Sequence, residues 1–133
     1  MEKNLSGMIL PSACAYDRLS VEENVAAIQQ LKKEKDALIL CHTYQRPEVH
    51  AVADFVGDSY GLSVKATKAA QATIVFCGVH FMAETAKILN PDKKVLLPSL
   101  EAGCGLAETI DSAGVRKWKA EYPGVPLVLY INS

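Results

Sequence analysis

The chain has 133 residues, half of them apolar and 22% charged, with a formal net charge of −1. A length like this suits one domain that buries roughly two thirds of its unfolded surface, so neither a metal nor a disulfide is needed for folding. The balanced charge gives no pull toward nucleic acid or an anionic membrane, no apolar run approaches the roughly 18 residues of a membrane span, and Met1–Asn4 leads into no signal pattern; the expectation is a soluble, cytoplasmic protein with a small-molecule partner.

Residues 1–19 lack periodicity, carry Pro11 and read as an N-terminal arm. Ser20 with Glu23 forms a capping-box pattern, and Val25, Ile28 and Leu31 keep helical spacing until Lys32-Lys33-Glu34-Lys35 ends the helix in solvent. A strand over 37–41 follows. Pro47 suits a first helical turn, and Val49, Val52, Ala53 and Val56 predict a helix stopped by Gly57. A further helix starts after Ser59, with Leu62, Ala66 and Ala69 as its narrow apolar face, and runs toward a strand over 73–77. The next helix spans Phe81 to Leu89 and is ended by Asn90-Pro91. A strand over 94–97, a helix from Ser112 to Tyr122 before Pro123-Gly124, and a strand over 127–131 complete the order.

Strands alternating with helices predict an α/β fold, a three-layer αβα arrangement on a four-stranded parallel sheet. Residues 20–126 read as one α/β domain, and 127–133 as its last strand and the start of a link onward. In such sheets ligands bind beyond the carboxyl ends of the strands. His42-Thr43-Tyr44-Gln45, Gly78 to Met82, Glu101 to Cys104 and Asn132-Ser133 follow the four predicted strands and are expected to share one rim.

The four cysteines, 14, 41, 77 and 104, are widely spaced with no Cys-x-x-Cys pair, so each thiol is judged alone. Cys41 and Cys77 end β-rich runs and read as core packing. Cys104, between Gly103 and Gly105, sits in a loop able to present a thiolate to a metal. His42 and Tyr44 alternate by two just past a strand end, a spacing that puts a proton-transfer histidine and a phenol on one side of an extended segment. Gly57-Asp58-Ser59 offers a helix N-terminus to an anion such as phosphate, though a cap is the plainer reading. His50 reads as a boundary residue, and Cys77-x-x-His80 as a nonspecific short spacing.

Taken in order, His42-Thr43-Tyr44-Gln45-Arg46-Pro47-Glu48, Asp54 to Ser59, Gly78 to Lys87, Ala102-Gly103-Cys104 and Tyr130-Ile131-Asn132 resemble the N-terminal part of the quinolinate synthase family, iron–sulfur enzymes of bacterial NAD biosynthesis. The resemblance runs from about Ser20 to the last residue. It implies a condensation of iminoaspartate with dihydroxyacetone phosphate to quinolinate, with release of phosphate and water. It also implies a functional link to an L-aspartate-oxidising enzyme that supplies iminoaspartate.

Family members hold one 4Fe-4S cluster through three cysteines, one from each of three similar α/β domains, with one iron open to substrate. By motif matching, Cys104 is the first of those ligands. His42 and Tyr44 take part in proton transfer and substrate positioning, Ser59 contacts a phosphate or carboxylate, and Tyr130 with Asn132 forms a substrate-binding pair. Phe81 and Met82 line the pocket. Thr43 and Gly105 depart from the usual family pattern. With one of the three cysteine ligands and one of the three domains, the 133-residue chain is expected to fold but to be inactive by itself.

Two other readings of the residues stand beside this one. A non-catalytic α/β module would bind a small anionic ligand at the Ser59 rim without metal. A zinc hydrolase would use Cys77, His80 and Cys104.

Overall fold

A computed structural model describes residues 19–130; the expected N-terminal arm, apart from Leu19, and residues 131–133 lie outside them. In chain order the elements are α1 (Val21–Glu34), β1 (Ala37–His42), α2 (Pro47–His50), β2 (Phe55–Gly57), α3 (Ser59–Lys68), β3 (Thr73–Cys77), α4 (His80–Leu89), β4 (Lys94–Leu96), a 3-10 turn at Ala107–Thr109 and α5 (Ser112–Glu121). The four strands form one sheet in the order β2-β1-β3-β4, and every neighbouring pair is parallel. The α/β class and the four-stranded parallel sheet expected from the sequence are therefore present.

The helix ends follow from local chemistry. Ser20 and Glu23 close a reciprocal capping box, the Glu23 N–H donating to Ser20 Oγ at 3.2 Å and the Ser20 N–H to Glu23 Oε2 at 2.7 Å, an arrangement worth about 1 kcal/mol. Asp58 and Asp111 cap α3 and α5 through the N–H groups of Gly61 and Gly114. Asn90 ends α4, its buried side-chain amide donating to Ala86 O at 2.9 Å.

Period-two alternation divides the sheet's two faces. Leu38 and Leu40 of β1 and Ile74 and Phe76 of β3 point to one side, where Leu62 and Ala66 of α3 and Met82, Ala83 and Ala86 of α4 complete the core. Phe76, Leu40 and Ile74 are fully buried there. On the other side Ala37, Ile39, Thr73, Val75, Cys77 and Leu96 line an open groove of about 820 Å³, whose far wall is Val21, Val25, Ile28 and Leu31 of α1.

Two expectations, one of a helix and one of a strand, are corrected. The apolar positions 49, 52, 53 and 56 do not make one helix: α2 is only four residues long, and Phe55–Gly57 becomes the edge strand β2. The cause lies in Asp54, whose N–H donates to Ile39 O while its Oδ2 accepts the Ile39 N–H, both at 2.8 Å. That two-point clasp, with Lys32 Nζ on Asp54 Oδ1 at 2.9 Å, lays the following residues along β1.

The second correction concerns the run over 127–131. Its described part, residues 127–130, has no regular structure and joins no strand; Val128 is 90% exposed. The fourth strand is thus β2, not the run after α5.

Candidate functional site

The parallel strands deliver four loops to one edge. His42 is the last residue of β1 and the register partner of Gly57 at the end of β2. Cys41 pairs with Cys77 at the end of β3, so Gly78 and the start of α4 fall beside them. The loop after β4 is drawn in by the His80 N–H, which donates to Ala102 O at 2.8 Å and ties the N-terminus of α4 to the Cys104 segment.

His42 is 8% exposed, and burial lowers its pKa below the ordinary 6.5, opposed by the negative charge of Asp58. The backbone N–H of Tyr44 donates to His42 Nδ1 at 3.2 Å, which leaves the proton of the neutral ring on Nε2. The Tyr44 ring stands edge-on to the imidazole, centroids 4.7 Å apart, and is itself 91% exposed. The pair foreseen at the end of the first strand is therefore a packed unit: a buried imidazole under an exposed phenol.

Ser59 is the first residue of α3 and half-buried. The Asp58 cap takes the Gly61 N–H at 2.6 Å. A helix start of this kind favours an anion through its N–H groups and dipole. Gly78 is buried, and a Cβ there would meet the Phe76 ring at 3.1 Å and Met82 Sδ at 3.3 Å, so the backbone passes directly over the core at this edge. Met82 belongs to the core cluster and Phe81 packs partly buried against it.

Cys104 is half-buried in a loop shaped by Glu108, whose Oε1 accepts the Cys104 N–H at 3.1 Å. A Cβ on Gly103 would collide with that same carboxylate, so the glycine lets the loop close on Glu108. Among the described residues no group of three or more His, Cys, Asp or Glu side chains is arranged to hold a metal ion. Cys104 is the one thiol of this loop, and the described residues do not by themselves assemble a cluster site.

Other candidates are dispersed. Cys77 faces the α1-side groove, not the core, and its thiol is pushed up to about 11 by burial and by neighbouring Cys41. His80 is exposed and faces Glu84, Nδ1 to Oε1 3.8 Å. Cys77, His80 and Cys104 are accordingly not gathered as the zinc reading requires. Tyr130 lies exposed in the irregular segment after α5, and Asn132 lies outside the described residues. Sequence reasoning missed Glu108 as the residue that shapes the Cys104 loop and Asp58 as the charge that reaches His42. The Cys-x-x-x-Glu and His…Asp spacings were visible but carry meaning only once the strands are in register.

The protein is thus an α/β domain with a single parallel sheet that brings a buried histidine, a capped helix start and a glycine-flanked cysteine to its carboxyl edge, where open α/β sheets bind ligands. Residues 26–133 match the family described as Quinolinate synthetase A protein. The chain is 56% identical over 113 residues to a quinolinate synthase of Thermodesulfovibrio yellowstonii, covering 85% of this chain and 37% of that protein. It is 54% identical over 116 residues to one from Thermus thermophilus, covering 87% and 37%, and 53% identical over 117 residues to one from a Mycobacterium species, covering 88% and 35%. The chain belongs to the quinolinate synthase family, and spans a little over a third of the length of these relatives.

Proposed function

We propose that this chain supplies one part of a quinolinate synthase active site, in which iminoaspartate and dihydroxyacetone phosphate condense to quinolinate with loss of phosphate and water. The observation that carries the reading is the sheet-edge arrangement of His42, Tyr44, Ser59 and the Cys104 loop, in a chain of this family.

The residues divide the work by their chemistry. His42, neutral with its proton on Nε2, donates a hydrogen bond to a substrate oxygen and takes part in proton transfer. Tyr44 covers the imidazole and presents its phenol to the same substrate. Ser59, at the start of α3, receives a phosphate or carboxylate oxygen, helped by the helix dipole. Phe81 borders the pocket; Met82 supports it from the core side. Tyr130 and Asn132 act as the substrate-binding pair once the segment that carries them is in place.

A 4Fe-4S cluster, when bound, supplies a Lewis-acid iron for a substrate oxygen. Cys104 is one of its three thiolate ligands; the other two are not among the described residues. A polypeptide of these 133 residues alone therefore neither retains a cluster nor forms quinolinate. The class of enzyme that oxidises L-aspartate supplies the unstable iminoaspartate, and the setting is cytoplasmic, in keeping with the absence of any described helix long and apolar enough to cross a membrane.

The test is a chimera in which these residues replace the matching segment of the Thermus thermophilus relative. Quinolinate formation by the chimera, abolished by His42→Asn, is expected; a chimera that folds, carries a cluster and is indifferent to His42→Asn contradicts the reading.

A further inference from the structure

Both backbone groups of Cys104 are taken by one residue. The Cys104 N–H donates to Glu108 Oε1 at 3.1 Å, and the Glu108 N–H donates to Cys104 O at 3.0 Å. The two bonds close residues 104–108 into a ring and leave the half-buried thiol as the one polar group of Cys104 with no hydrogen-bond partner among the described residues. The side-chain bond is not a helix cap: the 3-10 turn has Leu106 at its N-cap position, and Cys104 lies two residues before it.

Neighbouring bonds anchor this ring. Before it, the Gly103 N–H donates to Glu101 O and the His80 N–H to Ala102 O, both at 2.8 Å, which fastens the segment to the start of α4. Within it, Leu106 O accepts the Thr109 hydroxyl at 2.7 Å and the Thr109 N–H at 3.3 Å. Gly103 makes the closure possible. A Cβ there would take the place of Glu108 Oε1, so a larger residue drives the carboxylate off the Cys104 N–H. Glu108 is exposed, and its departure costs the bond without disturbing packing.

We propose that Glu108 is a positioning residue for Cys104, holding its N–H and C=O so that the loop backbone is set before the thiolate meets iron. A ligand whose backbone is fixed in advance loses less conformational freedom on binding, and partners that orient a metal ligand raise the affinity of the site. The hydrogen bond carries the effect, so an uncharged acceptor of the same reach serves in place of the carboxylate. This rests on the reading of Cys104 as a cluster ligand, but the hold on the loop is measurable in the chain without iron.

The experiment has two arms. In the 15N-labelled 133-residue chain, NMR measures the water-exchange rate of the Cys104 amide in wild type, Glu108→Ala, Glu108→Gln and Gly103→Ala. Glu108→Ala and Gly103→Ala are expected to exchange roughly tenfold faster, as loss of a hydrogen bond to a charged acceptor implies, while Glu108→Gln, whose amide oxygen still accepts, stays near wild type. In the Thermus thermophilus chimera, reconstituted anaerobically, a chelator is expected to bleach the cluster absorption roughly tenfold faster in Glu108→Ala than in wild type, with Glu108→Gln restoring the slow rate. Equal exchange in all four chains, or equal bleaching in the three chimeras, overturns the proposal. If Cys104→Ala loses the cluster while Glu108→Ala keeps it, the proposal alone falls; if Cys104→Ala keeps it too, the ligand reading falls and the proposal with it.

Discussion

The backbone N–H of Tyr44 donates to Nδ1 of His42 at 3.2 Å, and the two rings meet edge to face with centroids 4.7 Å apart. A turn of only two residues thus fixes the tautomer of a buried histidine and places its own aromatic ring over it. The neutral form is part of the folded structure, which gives stability a definite dependence on pH.

Because burial, only partly offset by Asp58, holds the folded-state pKa of His42 below 6.5, the unfolded chain binds more protons at this site than the folded one between the two values. Stability from this residue is fully present above pH 6.5 and declines as the pH falls through the folded-state value. Urea midpoints measured from pH 8 downward, over roughly the range in which histidines titrate, should fall on acidification in the wild type and fall less in His42→Gln. Parallel curves for the two proteins would contradict the assignment.

Leu62 and Phe76 are fully buried between α3, α4 and the sheet. Leu62→Ala is expected to cost about 2–5 kcal/mol and Phe76→Ala about 3–5 kcal/mol, through lost burial and the cavity left behind. Val128, 90% exposed, offers the contrast: Val128→Thr should stay within about 0.5 kcal/mol of wild type. Denaturant unfolding of the three variants checks both expectations.

Gly78 is close-packed against Phe76 and Met82, so Gly78→Ala must push one of them aside. Overpacking of this kind costs about 1–3 kcal/mol. Combined with Met82→Ala, which removes one of the two obstructing side chains, the substitution should cost less than it does alone, a coupling that a double-mutant cycle by chemical denaturation detects.

The thiols should separate by chemistry. Burial raises the pKa of Cys41 and Cys77, that of Cys77 to about 11, and Cys41 is wholly covered. The thiolate is the reacting species. In a Cys14→Ser background, iodoacetamide at pH 7.5 followed by peptide mass mapping is expected to label Cys104 first, with Cys77 gaining ground only as the pH is raised.

Much of the fold was legible because local and tertiary signals agree. Ser20 and Glu23 mark the start of α1, Asn90-Pro91 the end of α4, and the apolar runs at 37–41, 73–77 and 94–97 the three strands β1, β3 and β4. The failure at β2 has a physical cause. Residues 49, 52, 53 and 56 satisfy a helical period, and only the Asp54–Ile39 clasp, a contact across 15 positions of sequence, decides for a strand. The run over 127–131 has the composition of a strand, yet its described residues, 127–130, have no regular structure. At the site, His42 and Tyr44 were legible as a pair because they are neighbours in sequence. The influence of Asp58 on His42 and the hold of Glu108 on the Cys104 loop depend on side-chain placement that periodicity does not encode.

The proposed role of this sheet edge as one wall of a quinolinate synthase site, with Cys104 as a cluster ligand, is decided by anaerobic iron and sulfide reconstitution of the Thermus thermophilus chimera, carrying either Cys104→Ala or Cys77→Ala. Cys77→Ala is expected to retain the visible absorption of a 4Fe-4S cluster and to form quinolinate, while Cys104→Ala loses both. A Cys104→Ala chimera that keeps its cluster and its activity would contradict it.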